Sequence, residues 1–189
     1  MQNKKILILG VILLVGLAFF FGSRINSVST NNQETSAVSE NTSPNSSSAS
    51  TIIGKQAPDF SLTTLDGQPF KLADKKGKTV ILFGMAGWCG TCIPEGRALT
   101  QIKKEYADKG VEVIGVAFTK GDNEDFLKEF RELGTIDIPL ALDTDNLASK
   151  YRLVKLETTY IINKRGIITY KDEQFTPYED YKKELDKIL

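Results

Sequence analysis

Two cysteines, Cys89 and Cys92, stand where an apolar strand gives way to a helix-forming stretch. Residues 80–83 are too few for a helix and predict a buried strand, and a helix is predicted at about 90–109. A sulfur at the first turn of a helix meets unpaired N–H groups and the positive end of the helix dipole, which both favour thiolate over thiol. Cys92 follows one turn later, close enough to form a small disulfide ring. The spacing therefore predicts a redox pair in which Cys89 attacks a substrate disulfide and Cys92 resolves the mixed disulfide.

The cysteine and histidine counts exclude several other kinds of site. The chain has two cysteines and no histidine, and Ile93 follows Cys92, which rules out Cys–His hydrolases and c-type haem attachment. Two thiolates alone make a poor zinc site, because such a site needs four ligands. We therefore expect no metal and no cofactor. A purely structural disulfide is the alternative, but a loop closed across two residues removes little entropy from the unfolded chain.

Apolar runs and glycines along the rest of the chain predict an α/β fold. Further strands are predicted at 111–118, 139–142, 158–162 and 167–170, and further helices at 123–133, 146–151 and 178–189. The first two buried strands bracket a helix, which predicts a right-handed crossover between parallel strands. Gly166 marks the turn of a late hairpin, which adds antiparallel strands. The expected result is a central mixed sheet flanked by helices on both faces.

The first 26 residues predict a membrane anchor or a signal peptide. Lys4 and Lys5 precede an uncharged run of 17 residues, 6–22. As a helix this run would span about 25 Å, a little short of the ~30 Å hydrocarbon core of a membrane. The basic residues keep the N-terminus in the cytoplasm, so the chain that follows crosses the membrane. We favour an uncleaved anchor, and the alternative is a signal peptide that is cleaved after Ser29.

Residues 27–51 predict a flexible spacer, and residues 52–189 predict a single domain. Of the 25 spacer residues, nine are serine, four threonine and four asparagine, a composition that cannot bury enough apolar surface to fold. Three of the 24 basic and two of the 24 acidic residues precede residue 52, which leaves the domain 21 basic and 22 acidic residues. That balance argues against nucleic acid as a partner, because binding it needs a basic surface.

Five short motifs follow one another in this domain. They are Ala57-Pro-Asp-Phe-Ser-Leu62, Leu65-Asp-Gly67, Gly77-Lys-Thr-Val-Ile-Leu-Phe83, Trp88-Cys89-x-x-Cys92-x-x-Glu95, and Thr158-Thr-Tyr-Ile-Ile-Asn163 with Gly166. The series resembles the TlpA/ResA-like family of thioredoxins over nearly all of residues 54–189. The resemblance implies a thioredoxin-like fold and an exported, membrane-tethered thiol–disulfide oxidoreductase. It also implies two kinds of partner, namely exported client proteins with disulfides and a membrane electron donor of the thiol-transfer type.

Two residues beside the cysteines take roles from this resemblance. Glu95 matches the family's buried acidic residue and lies three positions after Cys92. Partly desolvated, its carboxyl would have a raised pKa and would relay the proton of Cys92. The alternative is an ordinary acid that favours the first turn of a helix. Trp88 is expected to be a half-exposed apolar platform that contacts the substrate beside the disulfide.

The chain departs from the family pattern at two positions. Arg97 stands where the family usually has a proline that kinks the active-site helix. Glu157 stands where the family usually has a cis-proline that shapes the groove for the substrate backbone, and we expect Leu156 and Glu157 to contact the substrate. A cis bond before a non-proline residue costs ~3–4 kcal/mol, so we expect a trans Leu156–Glu157 peptide and a re-routed loop. An inward-facing Glu157 would raise the Cys89 pKa and make the couple more reducing.

Several functions remain open at this point. The family favours a reductase, while a disulfide-forming oxidase is an alternative that only the reduction potential separates. Glu157 in place of proline keeps open a non-catalytic binding module that holds a client or a metal. A peroxiredoxin is disfavoured, because Ala86 stands where the Thr-x-x-Cys pattern of that group requires threonine.

Overall fold

The computed structural model describes residues 52–189. A two-stranded hairpin comes first, and five further strands form a second sheet. The hairpin strands are β1 (Ser61–Thr63) and β2 (Pro69–Lys71), and the sheet strands are β3 (Thr79–Met85), β4 (Val111–Ala117), β5 (Leu140–Leu142), β6 (Thr158–Ile162) and β7 (Ile168–Glu173). The helices are α1 (Ile93–Tyr106), α2 (Glu124–Gly134), α3 (Leu147–Tyr151) and α4 (Tyr178–Asp186).

The larger sheet is mixed, as the sequence predicts. Its strands lie in the order β5-β4-β3-β6-β7. β3 pairs in parallel with β4, and β4 in parallel with β5, while β6 is antiparallel to both β3 and β7. All seven residues of β3 are buried, as expected for a central strand that is covered on both faces.

Alternate residues of β3 pack into two separate cores. Ile81 and Phe83 belong to a cluster with residues of α1, α2 and α4, whereas Leu82 belongs to a cluster with the hairpin and with Tyr151 of α3. This alternation follows from the period of two along a strand. The sheet therefore has helices on both faces, which confirms the predicted fold class.

The predicted elements agree with the structure except at some ends and in one hairpin. The helix predicted at 90–109 is a 3₁₀ turn, Gly90–Cys92, then α1, then a second 3₁₀ turn, Ala107–Lys109. No strand is predicted at β1 and β2, which have three residues each. Strands this short carry too little alternation to stand out from a loop.

The end of α2 differs by one residue from the prediction. The helix predicted at 123–133 extends through Gly134, and Thr135 adopts the left-handed conformation with φ of 54°. A Cβ on Gly134 would lie 2.5 Å from the side chain of Ile136. Glycine is needed there because Ile136 packs so close to the helix.

No helix within residues 52–189 has the length and apolar character that a membrane span needs. The predicted anchor or signal peptide, residues 1–26, and the predicted spacer, residues 27–51, lie outside the described residues. Both therefore stay predictions.

Candidate active site

The two cysteines lie where β3 ends and α1 begins. Cys89 precedes the 3₁₀ turn Gly90–Cys92, which leads directly into α1. Cys89 and Cys92 are joined in a disulfide, with their Cα atoms 5.3 Å apart. Cys89 retains 4% of its surface exposed, whereas Cys92 is completely buried. The cysteine that can be reached from the surface is therefore Cys89.

The turn that carries Cys89 is anchored by Asp122, in the loop between β4 and α2. The Gly87 amide donates to Asp122 Oδ1 at 2.9 Å. The amide and the hydroxyl of Thr119 donate to Asp122 Oδ2 at 2.8 and 2.6 Å, and the Trp88 indole donates to Thr119 Oγ1 at 3.2 Å. These bonds fix Trp88 and Cys89 relative to the start of α2.

A groove of about 190 Å³ opens beside Cys89, between this turn and α2. Its lining includes Trp88, Ile93, Phe126, Phe130 and Leu133, with Glu129 as the acidic member. Trp88 is 56% exposed and Leu133 62% exposed, so the groove presents apolar surface next to the disulfide. Trp88 is thus half-exposed beside the disulfide, as expected, and its contact with a substrate stays a prediction.

Glu95 is fully buried, and two hydroxyl groups hold one of its oxygens. Thr159 Oγ1 donates to Glu95 Oε1 at 2.8 Å, and the Tyr181 hydroxyl donates to the same atom at 2.5 Å. Oε2 of Glu95 is also buried but has no hydrogen-bond partner among residues 52–189. An ionised carboxylate with one unpaired oxygen is costly inside a protein, so this environment favours the protonated acid.

The pKa of Glu95 follows from these surroundings. Burial raises the pKa of Glu95 to about 8, although the hydrogen bonds from Tyr181 and Thr159 oppose that shift. The negative charge of Glu157 raises it further. The expected buried acid with a raised pKa is therefore present one turn along α1 from Cys92, and it is mostly protonated at neutral pH.

Glu157 adopts a backbone conformation that proline cannot. Its φ is 59°, in the left-handed region, whereas the proline ring fixes φ near about −65°. Proline is therefore incompatible with this backbone at position 157, while the re-routed loop and the trans Leu156–Glu157 peptide stay predictions. Glu157 is half-buried and acts electrostatically on Glu95. Leu156 is half-buried too and packs against the core that contains both cysteines.

We predict that Glu157→Gln lowers the Glu95 pKa below about 8, because it removes the negative charge that raises this pKa. Glu157→Gly should lower it equally and also stabilise the fold by about 1 kcal/mol, because glycine adopts the left-handed region without steric cost. Carbon NMR titration of the Glu95 carboxyl measures the shift. Glu129→Gln is the matched control, since Glu129 is not among the groups that shift the Glu95 pKa. An equal shift in the control, or none in Glu157→Gln, would contradict the electrostatic coupling.

Arg97 has a structural role in place of the proline that the family usually has there. Its Nε donates to the Gly134 carbonyl at 2.9 Å, and its Nη2 donates to the Leu133 carbonyl at 3.2 Å. Carbonyl groups at a helix end lack partners within the helix. Arg97 therefore ties α1 to the C-terminal end of α2.

Several residues of this site carry no signal in the sequence. Thr159 lies within a quoted motif, but its bond to Glu95 spans 64 positions, and Tyr181 reaches Glu95 across 86. Asp122 binds Gly87 across 35 positions. None of these three residues has a local pattern that marks it, although a buried acid requires donors somewhere in the fold.

Comparison with known proteins agrees with this geometry. Residues 53–171 match the model of the AhpC/TSA family. The chain is 39% identical over 116 residues to the thioredoxin-like protein YneN of Bacillus subtilis, an alignment that covers 61% of this chain and 68% of that protein. It is 33% identical over 120 residues to the thiol-disulfide oxidoreductase ResA of Bacillus cereus, covering 63% of this chain and 68% of the relative.

A solved structure supports the fold. The chain is similar to a thiol:disulfide interchange protein of the thioredoxin family from Chlorobium tepidum TLS, with a TM-score of 0.65 and 24% identity. The match covers 71% of this chain and 96% of that one. At this identity the similarity shows the thioredoxin-like fold alone.

Proposed function

Since this chain belongs to the AhpC/TSA family and is a thiol-disulfide oxidoreductase with a thioredoxin-like fold, we propose that it reduces disulfides of exported proteins on the extracytoplasmic side of a membrane. The observation that carries the proposal is the Cys89–Cys92 disulfide, which meets the surface at the apolar groove. A client segment that lies against Trp88 brings its own disulfide to the Cys89 sulfur.

The reaction starts from the reduced dithiol. The Cys89 thiolate attacks one client sulfur, so a mixed disulfide forms and the other client sulfur leaves as a thiolate. The Cys92 sulfur then attacks Cys89, which regenerates the Cys89–Cys92 disulfide and releases the client as a dithiol. Two electrons and two protons have moved to the client, and a thiol-transfer donor at the membrane must return them.

Glu95 acts on the second step. Cys92 is fully buried, so water cannot readily take its proton. In molecules whose Glu95 is ionised, the unpaired Oε2 can accept that proton. The Glu95 pKa of about 8 is close to the ordinary thiol pKa of ~8.5. Proton transfer between the two groups therefore has a small free-energy change in either direction. Thr159 and Tyr181 orient the carboxyl.

Two features support the location and the direction. The predicted anchor and spacer, which lie outside the described residues, would carry the domain across the membrane and hold it about 28 Å away. The resemblance to ResA-like thioredoxins favours reduction. Protease added to intact spheroplasts should cleave the domain, and full protection would contradict the location.

Insulin reduction tests the enzymatic proposal. The protein, kept reduced by dithiothreitol, should precipitate insulin chains well above the rate of dithiothreitol alone. A binding module would hold insulin without turnover, because it does not complete the second step. A rate equal to that of dithiothreitol alone would contradict a reductase.

A further inference from the structure

A second cavity, of about 530 Å³, lies at the end of the sheet opposite to the disulfide. Two loops form it, one before β3 and one between β6 and β7, and the Gly77 amide joins them by donating to the Lys164 carbonyl at 3.2 Å. The cavity lies at the first residues of β3, whereas Cys89 comes after the last residue of that strand. A strand of seven residues separates the two sites by about 20 Å.

The lining of this cavity is basic around an apolar floor. Its cations are Lys75, Lys76, Lys78, Lys164 and Arg165, and its one acid is Asp59. The apolar part is Ala57, Leu72, Ala73, Val80 and Ile162. Five cations and one acid give the lining a charge of +4, of which Glu112, paired with two of the lysines, offsets one, in a domain whose acidic residues outnumber its basic ones by one. The apolar floor lowers the local dielectric and so strengthens the field of these cations.

Three of the five cations have no ionic partner in the described chain. Lys75 and Lys78 pair with Glu112 at 3.3 and 2.5 Å. Burial alone would raise the pKa of Glu112, but the hydrogen bonds from Lys78 and Lys75 outweigh it and the pKa is lowered. Lys76, Lys164 and Arg165 are exposed, and none of them forms an ion pair within residues 52–189.

The chain enters the domain along the rim of this cavity. The Ala57 amide donates to the Gly166 carbonyl at 2.8 Å, and Gln56, a lining residue, pairs with Ile167. The predicted anchor and spacer precede this segment. The end of the domain nearest to the tether is therefore the basic end, and the disulfide is at the other.

We propose that this cavity binds a phosphate-bearing anion. Lys76, Lys164 and Arg165 hold the phosphate oxygens, since ammonium and guanidinium groups form charge-assisted hydrogen bonds to phosphate, and the apolar floor contacts the attached carbon chain. An anionic phospholipid head group is the source that matches an amphiphilic cavity beside the tether. That source rests on the proposed membrane location, whereas the site itself does not. When the cavity is occupied by lipid, the disulfide faces away from the membrane.

Lysine acetylation of the full-length chain tests the site. The protein is reconstituted in vesicles of phosphatidylcholine, with or without phosphatidylglycerol, and acetylation rates are read residue by residue by mass spectrometry. Phosphatidylglycerol should slow the acetylation of Lys76 and Lys164 by about threefold, the protection expected when two thirds of the sites are occupied. Lys104 and Lys182, which are exposed on α1 and α4, should be unaffected. Equal slowing at all four lysines would overturn the proposal, and so would the absence of slowing both in vesicles and with soluble glycerol phosphate.

Two further arms assign the source and the contacts. Glycerol phosphate added to the full-length chain in nonionic detergent should protect the same lysines from acetylation if the phosphate group is recognised. Protection by glycerol phosphate but not by lipid vesicles supports the site and assigns it to a soluble phosphate. Arg165→Gln should abolish the protection, while Arg152→Gln, an equal change of charge outside the cavity, should preserve it. Equal loss in both variants would show a nonspecific charge effect and overturn the site. None of these experiments measures thiol–disulfide exchange. A negative result for the anion site therefore leaves the proposed reductase function untouched.

Discussion

The Cys92→Ala variant is expected to accumulate mixed disulfides with its protein substrates, whereas Cys89→Ala should accumulate none. Cys89 borders the groove and keeps some exposure, while Cys92 is completely buried behind it. Only Cys89 can therefore attack an external disulfide, and only Cys92 can release the resulting adduct. Both variants should lose insulin reduction altogether. Acid-quenched samples run on non-reducing gels measure the adducts.

The variant that lacks both cysteines is the control for this experiment. It should form no adduct, so any band that it shares with Cys92→Ala is not a mixed disulfide. Equal adduct formation by the two single variants would mean that Cys92 also reaches the surface. The assignment of the attacking and resolving thiols would then be wrong.

Glu95→Gln is expected to remove most of the pH dependence of stability of the oxidised protein between pH 5 and 8. The folded-state pKa is about 8, above the ordinary 4.5, so the folded state keeps a proton that the unfolded state loses. The stabilisation that Glu95 contributes is fully present below the pKa that this residue has in the unfolded state. It is lost as the pH rises through the pKa that the residue has in the folded state. The free energy of unfolding should fall by about 1.4 kcal/mol per pH unit across this window.

Denaturant unfolding at several pH values, with the full chain in detergent, measures this slope. Glu95→Gln should give a nearly flat profile and should be more stable than the parent protein at pH 9. Glu129→Gln, which removes an exposed acid beside the groove, should keep the parent slope. A parent protein with no fall in stability, or a variant with the same fall, would contradict a protonated Glu95. The variant should also resolve mixed disulfides more slowly, because Cys92 has lost its proton acceptor.

Local sequence patterns were sufficient to predict the sheet and the cysteine pair. The run at 80–83 is apolar and too short for a helix, and the cysteines follow it at the start of a helix, so both signals lie within one short segment. β1 and β2 were missed because three residues show too little periodicity, and because Pro69 disfavours a strand.

The environment of Glu95 could not be predicted in the same way. Its hydroxyl donors come from β6 and α4 and reach it only after the domain has folded. A raised pKa was expected from burial alone, whereas Thr159 and Tyr181, which oppose that rise, carry no sequence signal for this role. The positive φ of Glu157 is likewise a property of the folded loop, since glutamate has no preference for the left-handed region.

The reduction potential of the Cys89–Cys92 couple tests the proposed reductase most directly. The protein is equilibrated in redox buffers of known potential, and the fluorescence of Trp88, the single tryptophan of the chain and a neighbour of the disulfide, reports the oxidised fraction. A reductase should have a potential near that of thioredoxin, about −270 mV, because the couple must pass electrons to client disulfides. A potential near that of the oxidant DsbA, about −120 mV, would contradict the proposed direction and identify a disulfide-forming oxidase.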